Sequence, residues 1–339
     1  MTARDDVIDG FLVHAGWAGA ARRPLAGDAS FRRYDRLERG GRPAVLMDAP
    51  PEHEDVRPFM AVARHLLELG LSAPRVLAAD IPAGLLLLED LGDVSFNRRI
   101  AETPAEETRL YEAAVDLLAR LHTEQAPLHL PVDDTQLFDV PDYDAGLLQT
   151  EADLLPQWYL PAMTGAQDPA WLDDWRALWR PLLPLVWPDR PIFVLRDYHA
   201  DNLMWLADRA GLARLGLLDF QDATRGHPAY DLVSLLQDAR RDVPPDLERA
   251  MIARYLDASG ADEAGFRRAY KLLGAQRNAK IVGIFTRLWK RDGKPHYLSL
   301  IPRVWGLLER NLDLPDLADL KAWLDGVAPA DARARVPNG

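Results

Sequence analysis

The stretch Leu195-Arg-Asp-Tyr-His-Ala-Asp-Asn202, followed by Leu217-Leu-Asp-Phe220, puts an acid, an amide and a second acid in the order that phosphoryl transfer requires. One carboxylate must orient an acceptor hydroxyl and take its proton, while separate oxygen ligands hold the magnesium that bridges the nucleotide phosphates. Asp197 and Asn202 stand as D-x-x-x-x-N, the spacing of a kinase catalytic loop. Asp219 opens Asp-Phe at the end of an apolar run, where the metal-binding Asp of D-F-G sits. A hard cation on phosphate takes one or two protein carboxylates, with an amide or water completing its octahedron. Asp197 is therefore the expected base or hydroxyl-orienting group, and Asn202 and Asp219 are the expected magnesium ligands.

The flanks read as strands. Ile192 to Leu195 and Asn202 to Leu206 are apolar runs, and Asp-Arg-Ala-Gly from Asp208 makes a turn before Leu215 to Phe220. The three polar residues should then lie at strand ends facing one cleft. Toward the N-terminus, Ala44 to Asp48 suits a strand. Residues 55–70 suit a helix with Phe59, Val62, Leu66 and Leu69 on one face, closed by Gly70. Arg75 to Asp80 and Leu85 to Glu89 suit paired strands around Ile-Pro-Ala-Gly. A helical part begins at Thr103-Pro-Ala-Glu, which reads as a capping box with proline at the first helical position. The expected class is α+β, with a small β-rich N-lobe holding one main helix and a larger, mostly helical C-lobe. The expected boundaries are 1–93 for the nucleotide-binding lobe, 94–325 for the catalytic and substrate-binding lobe, and 326–339 for a disordered tail rich in Ala, Pro and Arg.

Composition narrows the function class. The 339 residues are 48% hydrophobic, enough to fill more than one core. No cysteine occurs, which removes disulfides, thiolate metal sites and cysteine nucleophiles. A formal net charge of -12, with no basic block, argues against a nucleic-acid partner. The N-terminal residues lack a basic segment leading into an apolar run, and no apolar stretch approaches the ~20 residues of a membrane span. A cytoplasmic monomer with small-molecule partners and no membrane partner is expected.

Three stretches carry a resemblance: Arg196-Asp-Tyr-His-Ala-Asp-Asn-Leu, Gly216-Leu-Leu-Asp-Phe-Gln-Asp and Gly226-His-Pro-Ala-Tyr-Asp-Leu. The chain resembles the aminoglycoside phosphotransferase family, which has the protein-kinase fold. It is most similar to the family's branch of anomeric amino-sugar kinases, which phosphorylate C1 of N-acetylmuramate and N-acetylglucosamine in peptidoglycan recycling. Gly27-Asp-Ala-Ser-Phe-Arg-Arg-Tyr, Leu46-Met-Asp-Ala-Pro-Pro and Gln276-Arg-Asn-Ala-Lys-Ile add to the likeness. The resemblance implies ATP and Mg2+ as cofactors and an amino sugar as acceptor.

It also implies roles for further residues. Gly27 and Ser30 would meet phosphates in a strand turn, and Glu89 and Leu91 would lie on the segment that presents backbone groups to adenine. Arg196 and His199 would brace the catalytic loop, with His199 not ligating metal, and Asp231 would anchor the loop from behind while starting a helix. Asp222 is a candidate contact for metal or substrate.

The acceptor side is read from Phe266 to Leu288. Phe266, Tyr270, Leu273, Ile281, Ile284 and Leu288 trace one helical stripe, with Arg277 in line and Lys280 a turn on. A cation on an apolar face needs a partner. It is either an internal ion pair or, with Lys280 or Gln276, a binder of the lactyl carboxylate or acetamido group. Trp171, Trp175 and Trp179 recur at helical spacing and read as core, whereas Trp158 and Tyr159 are candidates to stack on a sugar ring. The strand position that carries a phosphate-binding lysine in kinases falls on Met47 or Asp48, and Arg32 or Arg33 is the candidate to supply that charge. Three rival readings are a kinase for another hydroxyl compound, a nucleotide-binding pseudokinase, and a dinuclear phosphohydrolase using Asp197, His199, Asp201, Asp219 and His227.

Overall fold

Strand alternation organises the first of two units into which the chain divides. In the computed structural model, which describes residues 3–25 and 31–333, this unit takes in residues 1–113, 128–140 and 200–223. Its five-stranded sheet has the order β1-β2-β3-β5-β4, with β1 at Ala21–Pro24, β2 at Arg33–Arg39, β3 at Arg42–Asp48, β4 at Val76–Asp80 and β5 at Leu85–Leu88. All neighbours pair antiparallel. Gly40 and Gly41, at φ 56° and 74°, make the two-residue turn that sets Arg39 opposite Arg42. The hairpin around Ile81 to Gly84 is the one its turn residues suggest.

One sheet face, carrying Leu37, Ala44, Leu46, Leu85 and Leu87, is buried against Ile8, Phe11 and Leu12 of the helix Ala3–His14 and against Trp17. That helix is absent from the sequence reading, although Ile8, Phe11 and Leu12 have helical spacing. The helix Arg57–Glu68 buries Phe59, Val62 and Leu66, while Leu69 becomes its C-cap. Gly70 follows at φ 77°.

The strands Leu203–Trp205 and Leu215–Leu217 also belong to this unit. They pair with each other and are tied to it by bridges from Ser72 to Gly216 and from Ser95 to Met204. The Trp205 N–H donates to the Val94 carbonyl at 2.7 Å. A single cut near residue 93 therefore differs from this division, because backbone pairing returns residues 200–223 to the first unit. The expected capping box at Thr103 does not form. Thr103 ends the helix Phe96–Glu102, its side chain makes no cap, and a 3-10 turn Pro104–Glu106 leads into the helix Glu107–Leu121.

The second unit comprises 114–127, 141–199 and 224–339. Its axis is the helix Glu263–Asp292, capped by the Asp262 carboxylate, which accepts from the Gly265 N–H, and ended by Gly293 at φ 65°. Phe266, Tyr270, Leu273, Arg277, Lys280, Ile281 and Leu288 are buried on it, against Ala229–Leu236, Ile301–Asn311 and the single π-turn Leu155–Tyr159. A Cβ added at Gly283 would lie 2.3 Å from the Leu154 carbonyl carbon. Gly283→Ala should therefore destabilise the fold by about 1–3 kcal/mol through overpacking. Chemical denaturation would show it as a lower midpoint, and an unchanged midpoint would contradict the close approach.

Trp175 and Trp179 are fully buried and Trp171 is half-buried, so the tryptophan stripe is core. Past residue 325 the expected disorder is corrected for the described part: helices run through Ala318–Val327 and Ala330–Arg333. Buried Arg333 explains this, because it pairs with Asp325 at 2.6 Å and Glu309 at 3.2 Å and lies over the Trp305 ring. Residues 334–339 lie outside the described residues. Among the described residues no helix is long and apolar enough to cross a membrane.

Candidate active site

The second face of the five-stranded sheet opens on a cavity of about 420 Å³ within the first unit. Alternation decides what lines it. Arg32, Tyr34 and Arg36 point into it, whereas Arg33 is exposed and takes no part. Val45 and Leu88, partners in the β3–β5 register, form part of an apolar lining that also includes Leu91 and Leu218. Glu89, Asp90 and Gly92 continue that wall. Asn202, Asp219 and Asp222 complete the polar side. Gly27 and Ser30 lie outside the described residues.

The hairpin and its exit place the two expected metal ligands together. The Leu218 N–H donates to the Asn202 carbonyl at 3.0 Å, which ties the start of one strand segment to the end of the other. Asp219 follows at φ 55°, one of two described non-glycine residues with positive φ. Such a conformation costs of order 1–3 kcal/mol and persists only where surroundings hold it. Here Gln221 Nε2 donates to Asp219 Oδ1 at 2.8 Å, and the next ring, Phe220, packs 4.9 Å from Phe59. One amide and one or two carboxylates in a cavity suit magnesium bound to phosphate. Among the described residues no three His, Asp or Glu side chains could hold a metal by themselves. Asp201 accepts from Asn97 Nδ2.

The charges in the cavity are unequal in their commitments. Arg36 is held by Asp90 at 2.6 Å and Asp93 at 2.7 Å. Arg32 has Glu54 at 3.5 Å. Burial works against its charge, and Tyr34, Asp219, Glu54 and Asp222 more than compensate. Met47 is buried in the sheet and Asp48 accepts from Arg4, so neither replaces the strand lysine.

The loop that carries Asp197, in the second unit, leaves the strand Ile192–Val194, which pairs with Thr224–Gly226. Asp231 is fully buried and accepts the N–H groups of Leu195 and Arg196, both at 2.8 Å. It lies inside the helix Ala229–Leu236, whose N-cap is Pro228, so Asp231 is not the cap that its place before Leu232 suggests. Arg196 is the other positive-φ residue, at 68°. The loop then folds on itself: the Asp197 N–H reaches the Leu195 carbonyl at 2.9 Å, and the His199 N–H reaches the Asp197 carbonyl at 3.1 Å.

Asp197 keeps its side chain about one-third exposed, with Arg277 Nη2 at 3.6 Å. Burial would raise its pKa, but Arg277, Lys280, His199 and Arg196 outweigh that and bring it down to about 2. Arg277 also donates to Ser234 Oγ at 2.7 Å and stacks over the Tyr230 ring, and Lys280 donates to Glu151 at 2.8 Å. Arg277 and Lys280 therefore both have protein partners. Gln276 donates to the Leu148 carbonyl. Trp158 is half-buried, while Tyr159 is buried against Trp305 at 5.3 Å.

His199 is buried, and Arg240 Nη1 donates to its Nε2 at 3.1 Å. Burial and the neighbouring Arg240 and Arg277 outweigh Asp197 and lower its pKa to about 3. The folded protein therefore resists protonation of a group that the unfolded chain protonates near pH 6.5. Stability is complete above that pH and is lost as pH falls toward 3. Between pH 7.5 and 5.5 His199 alone should cost about 1 kcal/mol, read as a falling denaturation midpoint. A His199→Gln protein should lose less over the same range, and equal losses would contradict the assignment.

Sequence reasoning missed Tyr34 and Arg36, which the period of β2 could have found beside Arg32. It also missed Glu151, Tyr143 and Tyr230 around Arg196, for which no local signal exists.

Comparisons with known proteins bear on the family and the fold. The family model described as "Phosphotransferase enzyme family" matches residues 21–271. A Caulobacter vibrioides protein named N-acetylmuramate/N-acetylglucosamine kinase is 42% identical, with 95% of this chain and 96% of that protein covered. A Pseudomonas aeruginosa protein of the same name is 36% identical, with 96% of each covered. Among solved structures, an aminoglycoside phosphotransferase in complex with gentamicin matches at TM-score 0.61, with 15% identity over 90% of this chain and 97% of that one. A choline/ethanolamine kinase family protein from Mesorhizobium loti matches at 0.60, with 14% identity over 98% and 99%. With its kinase-like fold, its D-x-x-x-x-N loop and a match across most of its length, the chain belongs to the phosphotransferase enzyme family.

Proposed function

We propose that this phosphotransferase moves the γ-phosphoryl group of ATP to the anomeric C1 hydroxyl of N-acetylmuramate or N-acetylglucosamine, giving a sugar 1-phosphate for cell-wall recycling. The observation that carries the reading is the full-length similarity to kinases named for these two sugars. In this reading the enzyme works in the cytoplasm as a monomer.

Each residue's task follows from its surroundings. Asp197, ionised at any physiological pH, accepts a hydrogen bond from the acceptor hydroxyl and orients it. A carboxylate of so low a pKa is a weak base, which suits an anomeric hydroxyl because it is more acidic than an ordinary alcohol. Asn202 and Asp219 would hold magnesium, which when bound neutralises phosphate charge, and Asp222 stands beside them. Arg32 meets phosphate charge in place of the strand lysine, since Arg33 faces away and Arg36 is committed to Asp90 and Asp93. The wall at Glu89 to Gly92 offers backbone groups to the base, with Leu91 against its ring. Trp158 is the candidate surface for the sugar ring.

Arg277 and Lys280 near Asp197 favour a neutral or anionic acceptor over a polycationic aminoglycoside. The test is ADP release with N-acetylmuramate, N-acetylglucosamine, its 1-O-methyl glycoside, gentamicin and choline. Turnover of the free amino sugars alone is expected. Turnover of the methyl glycoside would overturn the C1 assignment, and turnover of gentamicin or choline alone would overturn the acceptor class.

A further inference from the structure

The cationic cluster behind Asp197 is assembled on a residue that no sequence pattern marks. Glu151, nine-tenths buried at the end of the helix Ala145–Ala152, accepts from three groups at once. Arg196 Nη2 and Lys280 Nζ share its Oε1, the latter at 2.8 Å, and the Tyr143 hydroxyl donates to its Oε2. The Tyr143 hydroxyl oxygen also lies in hydrogen-bond contact with the Tyr230 hydroxyl at 2.8 Å, and the Tyr143 ring lies 5.0 Å under the Arg196 guanidinium. The Tyr230 ring lies 5.4 Å from the Arg277 guanidinium, which sits 3.6 Å from Asp197. A continuous set of contacts within one unit thus runs from Glu151 to the acid of the loop by two routes.

We propose that Glu151 is a positioning residue for phosphoryl transfer. It fixes the left-handed Arg196 next to Asp197 and offsets the Lys280 charge, so that Asp197 is held in one place by Arg277 and not drawn toward a second cation. The backbone supplies the first reason. Arg196 is held at φ 68°, a conformation that a non-glycine residue keeps only where surroundings over-determine it. Asp231 holds its N–H from one side and Glu151 its guanidinium from the other. Charge supplies the second. Glu151 pairs with Arg196 and Lys280, and Asp197 with Arg277, and a buried cation stripped of its acceptor is costly. Lys280 freed from Glu151 would seek the carboxylate of Asp197, the group that must face the acceptor.

The inference rests on the loop chemistry proposed above, and the experiment separates the two. Wild type, E151D and E151Q are compared for kcat and KM with whichever acceptor wild type turns over, for nucleotide dissociation constant, and for thermal midpoint. E151Q keeps the size of the side chain and removes its charge. E151D keeps the charge on a shorter stem and guards against E151Q failing to fold. A misplaced catalytic group can cost about 10²-fold. The expected result is kcat in the order wild type, E151D, E151Q, with about a 10²-fold loss in E151Q and nucleotide affinity within twofold of wild type. A lowered midpoint with unchanged kcat in a folded variant would reduce Glu151 to a structural ion pair and overturn the proposal. So would wild-type kcat in E151D should E151Q not fold. Failure of wild type on amino sugars with turnover of another alcohol would sink only the substrate reading, since the Glu151 comparison is then made on that alcohol.

Discussion

Asp197→Asn is expected to lower kcat by about 10² to 10⁴-fold while leaving nucleotide affinity within a few-fold of wild type. The amide preserves the shape of the side chain and removes both its charge and its capacity to take a proton. Arg277, 3.6 Å away, loses its anionic partner and keeps Ser234 and Tyr230. The loop itself should stand, because Asp231 holds it through the N–H groups of Leu195 and Arg196 and not through the Asp197 side chain. Equilibrium nucleotide binding and single-turnover kinetics together check the outcome. Turnover near that of wild type would refute the role of Asp197, and loss of nucleotide binding would mean the substitution had disturbed the fold.

Asp219→Asn should act on a different quantity. Asp219 lines the cavity of the first unit beside Asn202 and is held at φ 55° with Gln221 on its Oδ1. Asparagine also tolerates positive φ, so the backbone should survive the change. What is lost is one anionic oxygen for a hard cation. The expected result is a fall of about 10² to 10³-fold in kcat/KM for the nucleotide, the scale of removing one electrostatic stabiliser. The magnesium concentration for half-maximal rate should also rise. An unchanged magnesium dependence would contradict Asp219 as a ligand. The two substitutions thus divide the loop chemistry into acceptor orientation and metal retention.

The stretch that pointed to a phosphotransferase did so because that chemistry constrains both residue type and spacing. D-x-x-x-x-N followed by Asp-Phe leaves few other uses for the residues. Helix Arg57–Glu68, the hairpin of β4 and β5 and the long helix Glu263–Asp292 were legible from apolar period and turn residues, since each presents one regular face to a core. The choice between Arg32 and Arg33 could have been made from alternation alone. Leu37 belongs to the core face of β2, which sends Tyr34 and Arg36 to the other side with Arg32 just before the strand.

Other features had no signature in local sequence. The division of the chain depends on strands near residues 203 and 217 pairing with Ser72 and Ser95, a long-range event. Arg277 and Lys280 were placed correctly on a buried face, but their partners come from other helices and could not be named from the stripe itself. Glu151 is one acid among 52 acidic residues until the fold brings Arg196, Lys280 and Tyr143 to it. The Thr103 capping box failed because Thr103 already ends the preceding helix, so a local pattern gave way to the packing of its neighbour.

The most direct measurement is phosphorus NMR of the products formed from ATP and N-acetylmuramate in the presence of magnesium and the enzyme. The account predicts ADP together with a phosphate monoester resonance split by the proton on C1 of the sugar. Inorganic phosphate with no sugar ester, or an ester coupled to protons at any other carbon, would contradict it.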